Sequence, residues 1–570
     1  MDSFGRVLGV PHLDDIGPEL CVDFPVRPLR HAKVVWLNAG WWIEHGWDID
    51  SPDTRKAVNN WLLRHCAVVA CEPSISSGQT LAADRYGGSQ GTRHGGSGRC
   101  GISGAFIAKG IGRTPLCPPE VSGVHGDGCL SMVEALREAV AAELAQAELP
   151  WGAVPVVAII ATNDNNVAVS EAILVRPNFV RPAHFERSIF FGTAGQPGSD
   201  QHLDALRTRS AVATAAANPS AIDFPGLSEM FERFAAQLGA LQAHRLWQGK
   251  FLSSNVSVTG ALVDFGSFRT VSSWRSFFGE PEEKFGGERC YLDIAARSLI
   301  TSFEKYAPTS VVPKAGILME AAKHGIERGF RNATVSALGL KTTQAEILLP
   351  ALRRYWIQQQ RERVQVGDAW TWSLPWLYDV LMRPELASRP SYAAEADVLM
   401  ALEESSEEEK ASPGSVRAAL ARWTCPRVAF HYERSTLILT RVANAMRRRP
   451  ECAAIIASRA IDAMLSRVHR NWHRLPADFE IHGQVRQGSS VALYGVSGDE
   501  RRPGLLLAGP RGVNGVRLFG ATVERRSVSD AWIQVSDACV DLLKETTLKV
   551  GKVLIAVPSA RFVYPAISTK

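Results

Sequence analysis

The chain has 570 residues, 46% of them hydrophobic and 21% charged, and 63 basic against 58 acidic side chains leave a formal charge of +5. That composition fits a soluble globular protein with a large core, and a length prior of about 150 residues per domain predicts three or four domains. So small a basic excess neither demands nor excludes nucleic acid. No apolar run approaches the ~18 residues that a membrane span needs. The ten cysteines are scattered without a C-x-x-C pair, and Met1–Arg6 lacks the basic, apolar start of a secretory signal. A reduced, cytoplasmic setting follows as the expectation, with neither nucleic acid nor membrane as a partner.

In chain order, residues 1–80 read as a largely helical extension with a tryptophan-rich piece at Trp41, Trp42 and Trp47. Glycine then becomes dense from Arg85 to Gly104, where absent side chains let backbone bend and approach a ligand. Ala105–Lys109 reads as a short apolar strand ending on a lysine. Ser131 to Leu149 has apolar residues at Leu136, Val140 and Leu144, a capping serine at its start and Pro150 at its end, which predicts a helix. Val154–Ala161 and Ala172–Val175 read as strands joined by the polar turn Asn163–Asn166. From Leu203 the pattern is helical, with one clear helix at Leu227–His244, interrupted by a strand-loop-strand piece at Val256–Val258 and Ala261–Phe265. Helices continue to about Leu475, and the acidic run Glu403–Lys410 reads as a solvated loop. From Phe479 short alternating strands (Val491–Tyr494, Gly504–Leu507, Val516–Phe519) predict a separate β-rich domain with one helix near Ala538–Leu543.

The chemistry centres on Val263-Asp264-Phe265-Gly266 and on Asn255, nine residues upstream. A carboxylate at the end of an apolar strand and an amide oxygen across a hairpin make a natural Mg²⁺ pair for a nucleotide. A bare Asp-Phe-Gly triplet is also what a strand end with a β-turn looks like. Lys109 after the glycine stretch and Glu138 on the following helix add context, because a strand lysine positioned by a helix glutamate is how kinase-type folds grip phosphates. Read singly, Lys109 is equally a surface lysine closing a strand, and Glu138 a solvated residue opposite the Leu136/Val140/Leu144 stripe. Arg176 and Arg181 could bind phosphate oxygens bidentately or form structural ion pairs. Arg99 follows Gly96-Ser97-Gly98, whose backbone N–H groups could cradle phosphate. His94, Cys100, Cys117, His125 and Cys129 match no common zinc spacing, and neither a dinucleotide fingerprint nor a G-x-S-x-G elbow is present.

Taken in order, these segments resemble the selenoprotein O (YdiU) family, protein adenylyltransferases with a kinase-like fold. Tyr86-Gly87-Gly88-Ser89-Gln90, Gly96-Ser97-Gly98-Arg99, Lys109-Gly110-Ile111-Gly112-Arg113-Thr114-Pro115, Asp127-Gly128 with Arg137-Glu138 and Glu143, then Arg176, Arg181 and His184-Phe185-Glu186 are similar to its motifs. The spacing between the two arginines is two residues shorter than in the family. Asn255 and Asp264 keep the family's metal-ligand spacing. The resemblance covers roughly residues 80–270. It implies an α+β, protein-kinase-like bilobal fold, a small β-rich N-lobe over 81–190 and a mainly helical C-lobe over 191–478; the last 90 residues are not covered by it, and their strand pattern alone sets apart an accessory β-rich domain over 479–570. It also implies ATP bound in a flipped orientation and transfer of AMP. Lys109, positioned by Glu138, and Arg176 and Arg181 would hold phosphates. Asn255 and Asp264 would hold Mg²⁺, and Gly96, Gly98, Arg99, Asp127 and Gly128 match nucleotide-contacting positions.

Two departures matter. Where a phosphotransferase of this shape carries His-Gly-Asp, this chain has Gln248-Gly249-Lys250, so the hydroxyl-deprotonating base of kinase chemistry is absent. The family's proton-accepting Asp before the metal-binding Asn is here Ser254, which is no base near pH 7. The acceptor is then expected to be a protein, a peptide or a small acid, a carboxylate needing no deprotonation. The alternative is a nucleotide-binding pseudoenzyme that scaffolds, with partners met through the C-terminal domain.

Overall fold

A computed structural model of the chain describes residues 13, 16–75, 78–88, 95–117, 126–162, 171–188, 199–271, 273–277, 285–308, 312–361, 363–364, 377, 380–381, 384–408, 413–424 and 430–465, and, as backbone, six strands between 480 and 556. The architecture is mixed α+β. Its centre is an eight-stranded antiparallel sheet of β1 (Cys21–Pro28), β2 (Lys33–Leu37), β3 (Val68–Ala70), β4 (Gln79–Asp84), β5 (Cys100–Ser103), β6 (Phe106–Lys109), β7 (Ala158–Ala161) and β8 (Ala172–Pro177). The spatial order is β2-β7-β8-β6-β5-β4-β1-β3.

The expected helical extension over residues 1–80 is corrected here. β1, β2 and β3 all lie within it, and β4 begins there. Pro25 and Pro28 deny β1 a helix interior, while its alternation buries Phe24 and Val26. β1 pairs with β4 from Cys21↔Asp84 to Val26↔Gln79, a partner some sixty residues away in the chain. Two helices, Ala39–Glu44 and Pro52–His65, do lie in this region, and Trp41, Trp42 and Trp61 from them pack around Phe106 of β6.

The pairing of β6 with β8 sets Ile107 opposite Arg176 and Lys109 opposite Leu174. Because side chains alternate along a strand, Ile107, Lys109, Leu174 and Arg176 share one face. Phe106, Ala108, Ile173 and Val175 share the other and join the core under Trp41 and Trp42. The polar face looks at the helix Met132–Glu148, which begins and ends as its sequence predicts: Ser131 Oγ accepts the Glu134 N–H at 3.1 Å, and Leu149 leaves the helix in an extended conformation before Pro150. This helix is buried nearly all round rather than along one stripe. Its outer side packs on the helix Tyr432–Arg448, where Arg137 donates to Ser435 Oγ at 2.9 Å and lies 4.4 Å from the centre of the Tyr432 ring.

The helices Leu227–His244 and Ala315–Leu338 pack against each other. Gly239, Gly325 and Gly329 let these two approach closely: a Cβ on Gly239 would lie 2.1 Å from the Ile326 carbonyl oxygen. The acidic run is corrected too. Residues 403–408 close the helix Ala393–Glu408, whose Val398, Leu399 and Leu402 are buried, and Glu403 pairs with Arg417 at 3.5 Å. Lys410 lies outside the described residues, as do the turn Asn163–Asn166 and the expected helix near Ala538–Leu543. The strand-loop-strand piece contracts to a tight hairpin with the single bridge Val256↔Leu262, held to the sheet side by Ala153↔Leu262. At the far end, Glu480–Gln487, Ser490–Ser497, Arg502–Gly509 and Gly512–Val516 form a four-stranded antiparallel meander, and Thr547–Val550 pairs with Val553–Ala556. No helix among the described residues is long and apolar enough to cross a membrane.

Candidate functional site

Three elements converge on one ammonium group. β6 delivers Lys109; the helix Met132–Glu148 delivers Glu134 and Glu138, four residues apart and so on one helix face; the hairpin delivers Asp264. Lys109 Nζ donates to Glu138 Oε1 at 2.5 Å and to Asp264 Oδ1 at 3.0 Å, and lies 3.8 Å from Glu134 Oε1. Arg176 donates from Nη2 to the other Glu138 oxygen. Arg99 donates to Glu134 Oε1 at 2.8 Å and to the Cys129 carbonyl at 3.1 Å. The surface readings of Lys109 and Glu138 are overturned: Lys109 is 7% exposed, and Glu138 is fully buried between two cations.

Burial and Arg99 both act to pull the Lys109 pKa down, but Asp264, Glu138 and Glu134 outweigh them and raise it. Burial would likewise raise the Asp264 carboxyl, yet Lys109, Arg99 and Arg176 hold it well below the usual carboxylate range. Both groups are therefore charged at neutral pH. Asp264 is also one of three non-glycine residues with positive φ among the described residues, at +60°. Such left-handed positions cost free energy and persist where the surroundings impose them. Here Val263 on one side joins Ile107, Val154 and Phe179 in an apolar cluster, and Phe265 on the other is fully buried. The turn between them leaves the Asp264 side chain 43% exposed at the cluster's edge.

Asn255 stands across the hairpin from this turn, its carbonyl accepting the Val263 N–H at 2.9 Å. Its amide nitrogen donates to the Lys250 carbonyl at 2.9 Å, which orients Oδ1 the other way, with the Ser254 hydroxyl at 3.5 Å. One carboxylate oxygen, Asp264 Oδ2, accepts no hydrogen bond from the described residues. A carboxylate and an amide oxygen are the hard donors that Mg²⁺ takes, usually alongside water and phosphate oxygens. In donor type, Asn255 and Asp264 are the residues here that could hold that ion. Gln248, at the place of the absent kinase motif, is buried and donates to the Val263 carbonyl at 2.8 Å. It braces the hairpin.

The remaining sequence candidates fall around this centre. Asp127 is exposed and accepts the Cys129 N–H at 2.8 Å. Gly128 has φ +75° and would place a Cβ 2.1 Å from the Gly112 carbonyl carbon, so only glycine lets these two loops meet beside Arg99. Gly96 is similarly obligatory, 2.3 Å from the Asp84 carbonyl oxygen were it to carry a Cβ. Gly98 packs over Cys117, and its carbonyl accepts the Thr114 N–H at 3.0 Å. Ser89, Gln90, Gly91, His94 and His125 lie outside the described residues.

Arg181 does not join the Lys109 group. Its guanidinium donates to the Ser254 carbonyl, lies 3.6 Å from Asp84 and stacks on Tyr86 and Phe179 at 4.7 and 4.5 Å. His184 completes this second cluster, 3.2 Å from the same Asp84 oxygen. Burial would raise the Asp84 carboxyl, but His184 and Arg181 bring it down to about 2. Glu134 and Asp84 are the charged partners that the sequence did not point out. Glu134 had a signal, one helical turn before Glu138; Asp84 had none beyond its place at a strand end. In comparisons with known proteins, no family model and no curated protein matches this sequence.

Proposed function

We propose that the chain is an ATP- and Mg²⁺-dependent nucleotidyltransferase with a kinase-like arrangement, transferring AMP to a protein, peptide or carboxylate acceptor. The observation that carries this is Lys109 held between Glu138 and Asp264, with Asn255 across the hairpin. A fixed ammonium and guanidinium groups beside an ionised, part-exposed carboxylate are what polyphosphate binding needs. Lys109 binds phosphate oxygens and Glu138 positions it; Arg99 and Arg176 add positive charge to the same wall. Asn255 and Asp264 hold Mg²⁺, which when bound neutralises phosphate charge. Gly96, Gly98, Asp127 and Gly128 shape the backbone that faces the nucleotide. Arg181 acts from beneath by fixing Ser254 and hence Asn255.

In the reaction an acceptor oxygen forms a bond to the α-phosphorus, the bond to the bridging oxygen breaks, and pyrophosphate leaves with the electron pair. A carboxylate acceptor has no proton to lose, which suits a site with Ser254 in place of a base and Lys250 where a kinase has its aspartate. The resemblance to the selenoprotein O family supports the choice of the α- over the γ-phosphate. ATP labelled at the α-phosphate should mark an acceptor, or appear as released AMP, whereas ATP labelled at the γ-phosphate should leave the acceptor unmarked. Transfer of the γ-label refutes the assignment. A second reading, a nucleotide-binding pseudoenzyme, is favoured by Ser254 alone. It predicts ATP binding that Lys109→Ala weakens, with no transfer to any acceptor.

A further inference from the structure

Behind the hairpin lies a cavity of about 270 Å³ that the nucleotide reading does not use. Apart from Trp41 and His45, its walls come from four separate parts of the chain: the loop before β7 (Val154), the segment after β8 (Phe179, Val180), the turn ending in Ile222, and the back of the hairpin (Val258). These five side chains are apolar and buried. Val154 and Phe179 also belong to the apolar cluster that includes Val263, so that cluster separates the cavity from the Lys109–Asp264 pair. Dry cavities of about 150 Å³ accept a benzene ring, so this one has room for a single ring with a short chain.

Asn178, Ser257 and Thr259 line the cavity with groups that both donate and accept, and Asp223 is its one carboxylate, with no lysine or arginine among the lining residues. Asp223 lies at the rim in a left-handed conformation, φ +53°, which ends the 3-10 turn Pro219–Ile222. It forms no ion pair among the described residues, and partial burial raises its carboxyl pKa with no cation offsetting it. Trp41 and His45, which also line the cavity, stack with ring centres 4.1 Å apart, and His45 Nδ1 lies 2.8 Å from the Trp41 carbonyl. A carbonyl can only accept, so Nδ1 carries the proton in that bond. A carboxylate without a counterion at the edge of an apolar space selects a cation on an apolar body.

We infer that this cavity is a binding site for a small arylalkylammonium ligand, the ring lying among Val154, Phe179, Val180 and Ile222 and the ammonium donating to Asp223. The inference is independent of the nucleotide reading, because neither its walls nor its charge belong to the Lys109 cluster.

Phenethylamine is a suitable probe and phenethyl alcohol its uncharged counterpart, each titrated calorimetrically into the full chain. The amine should bind saturably and about tenfold or more tightly than the alcohol, the difference a charge-assisted hydrogen bond makes. Asp223→Asn should abolish that preference while leaving the thermal unfolding midpoint in place. Ala261→Leu, which fills the cavity from the hairpin side, should remove binding of both probes. Equal affinity for amine and alcohol, an amine preference that survives Asp223→Asn, or no saturable binding by the folded protein would each overturn the assignment.

Discussion

Two buried charge clusters flank the hairpin, and they are built differently. In one, Asp84, Arg181 and His184 are each less than a tenth exposed, and the guanidinium is closed in by Tyr86 and Phe179. In the other, Lys109, Glu138 and Arg176 are as deeply buried, but Asp264 opens to solvent at 43%. A sealed cluster can only hold the fold together. An open one, with an ionised carboxylate at its edge, can exchange a protein partner for a ligand. Burial of charge is therefore no guide to function by itself; the access of one member is.

The largest effect should come from the sealed side. Asp84→Ala leaves Arg181 buried without its carboxylate, and loss of one partner of a buried pair costs about 3–5 kcal/mol. Urea denaturation should show a drop of that order. The same carboxylate gives an acid limit. Its folded pKa, about 2, lies below the ordinary 3.8, so its contribution is present above pH 3.8 and is lost as pH falls towards 2. Wild-type protein should show this acid step and Asp84→Ala should lack it. An unchanged denaturation midpoint would make the two clusters equivalent.

Asp264→Ala should divide the other way. AMP transfer should fall by about 10²–10³-fold, the range for removing one preorganised electrostatic contact. The unfolding midpoint should move little, because Lys109 keeps Glu138 and Glu134. A large fall in stability with transfer intact would remove the distinction between an open and a sealed cluster.

Much of the open cluster was legible in the sequence. Lys109 ending a strand, the Ser131-capped helix and the Asn255–Asp264 spacing are local signals, and each element forms close to where it is expected. The full burial of Glu138 was not legible, because its partners Lys109 and Arg176 lie 29 and 38 residues away and only the β6–β8 pairing sets both against the helix. β1 was missed for the same reason: its pairing with β4 is non-local, and a short segment containing Pro25 and Pro28 has little signal of its own. The cluster around Asp84 escaped because its members come from β4, the segment after β8 and the hairpin, which only the fold brings together.

Glu186 sharpens the comparison on the sealed side. It is fully buried, neither carboxylate oxygen has a well-formed hydrogen bond, and burial pushes its pKa up to about 7 against the opposing Ser253 and Ser298 hydroxyls and Arg207. The folded state thus binds the proton more tightly than the unfolded state does. Between pH 4.5 and 7 stability should fall as pH rises, by about 3 kcal/mol for a shift of this size. Glu186→Gln should flatten that slope and be the more stable protein at pH 8. An unchanged pH profile would mean that Glu186 is ionised and paired. His184 does not confound the difference, although burial holds its own pKa down, because it is common to both proteins.

The smallest predicted effect bears on whether the open cluster is catalytic or only binds. Ser254 is 6% exposed, adjoins Asn255 and gives its carbonyl to Arg181. Its hydroxyl makes only a long contact to Asn255, so a carboxylate at this position replaces no strong hydrogen bond. If the acceptor is a carboxylate, Ser254→Asp should leave its labelling unchanged, since no proton has to be removed. Hydroxyl acceptors should instead gain, by as much as the ~10²-fold at the low end of general-base catalysis. Transfer from α-labelled ATP to carboxylate and hydroxyl acceptors, assayed side by side for the two proteins, separates the cases. A gain for both classes would mean that the wild-type reaction is limited by the missing base whatever the acceptor. Transfer to neither class by either protein, with ATP affinity retained, would place the chain among nucleotide-binding scaffolds.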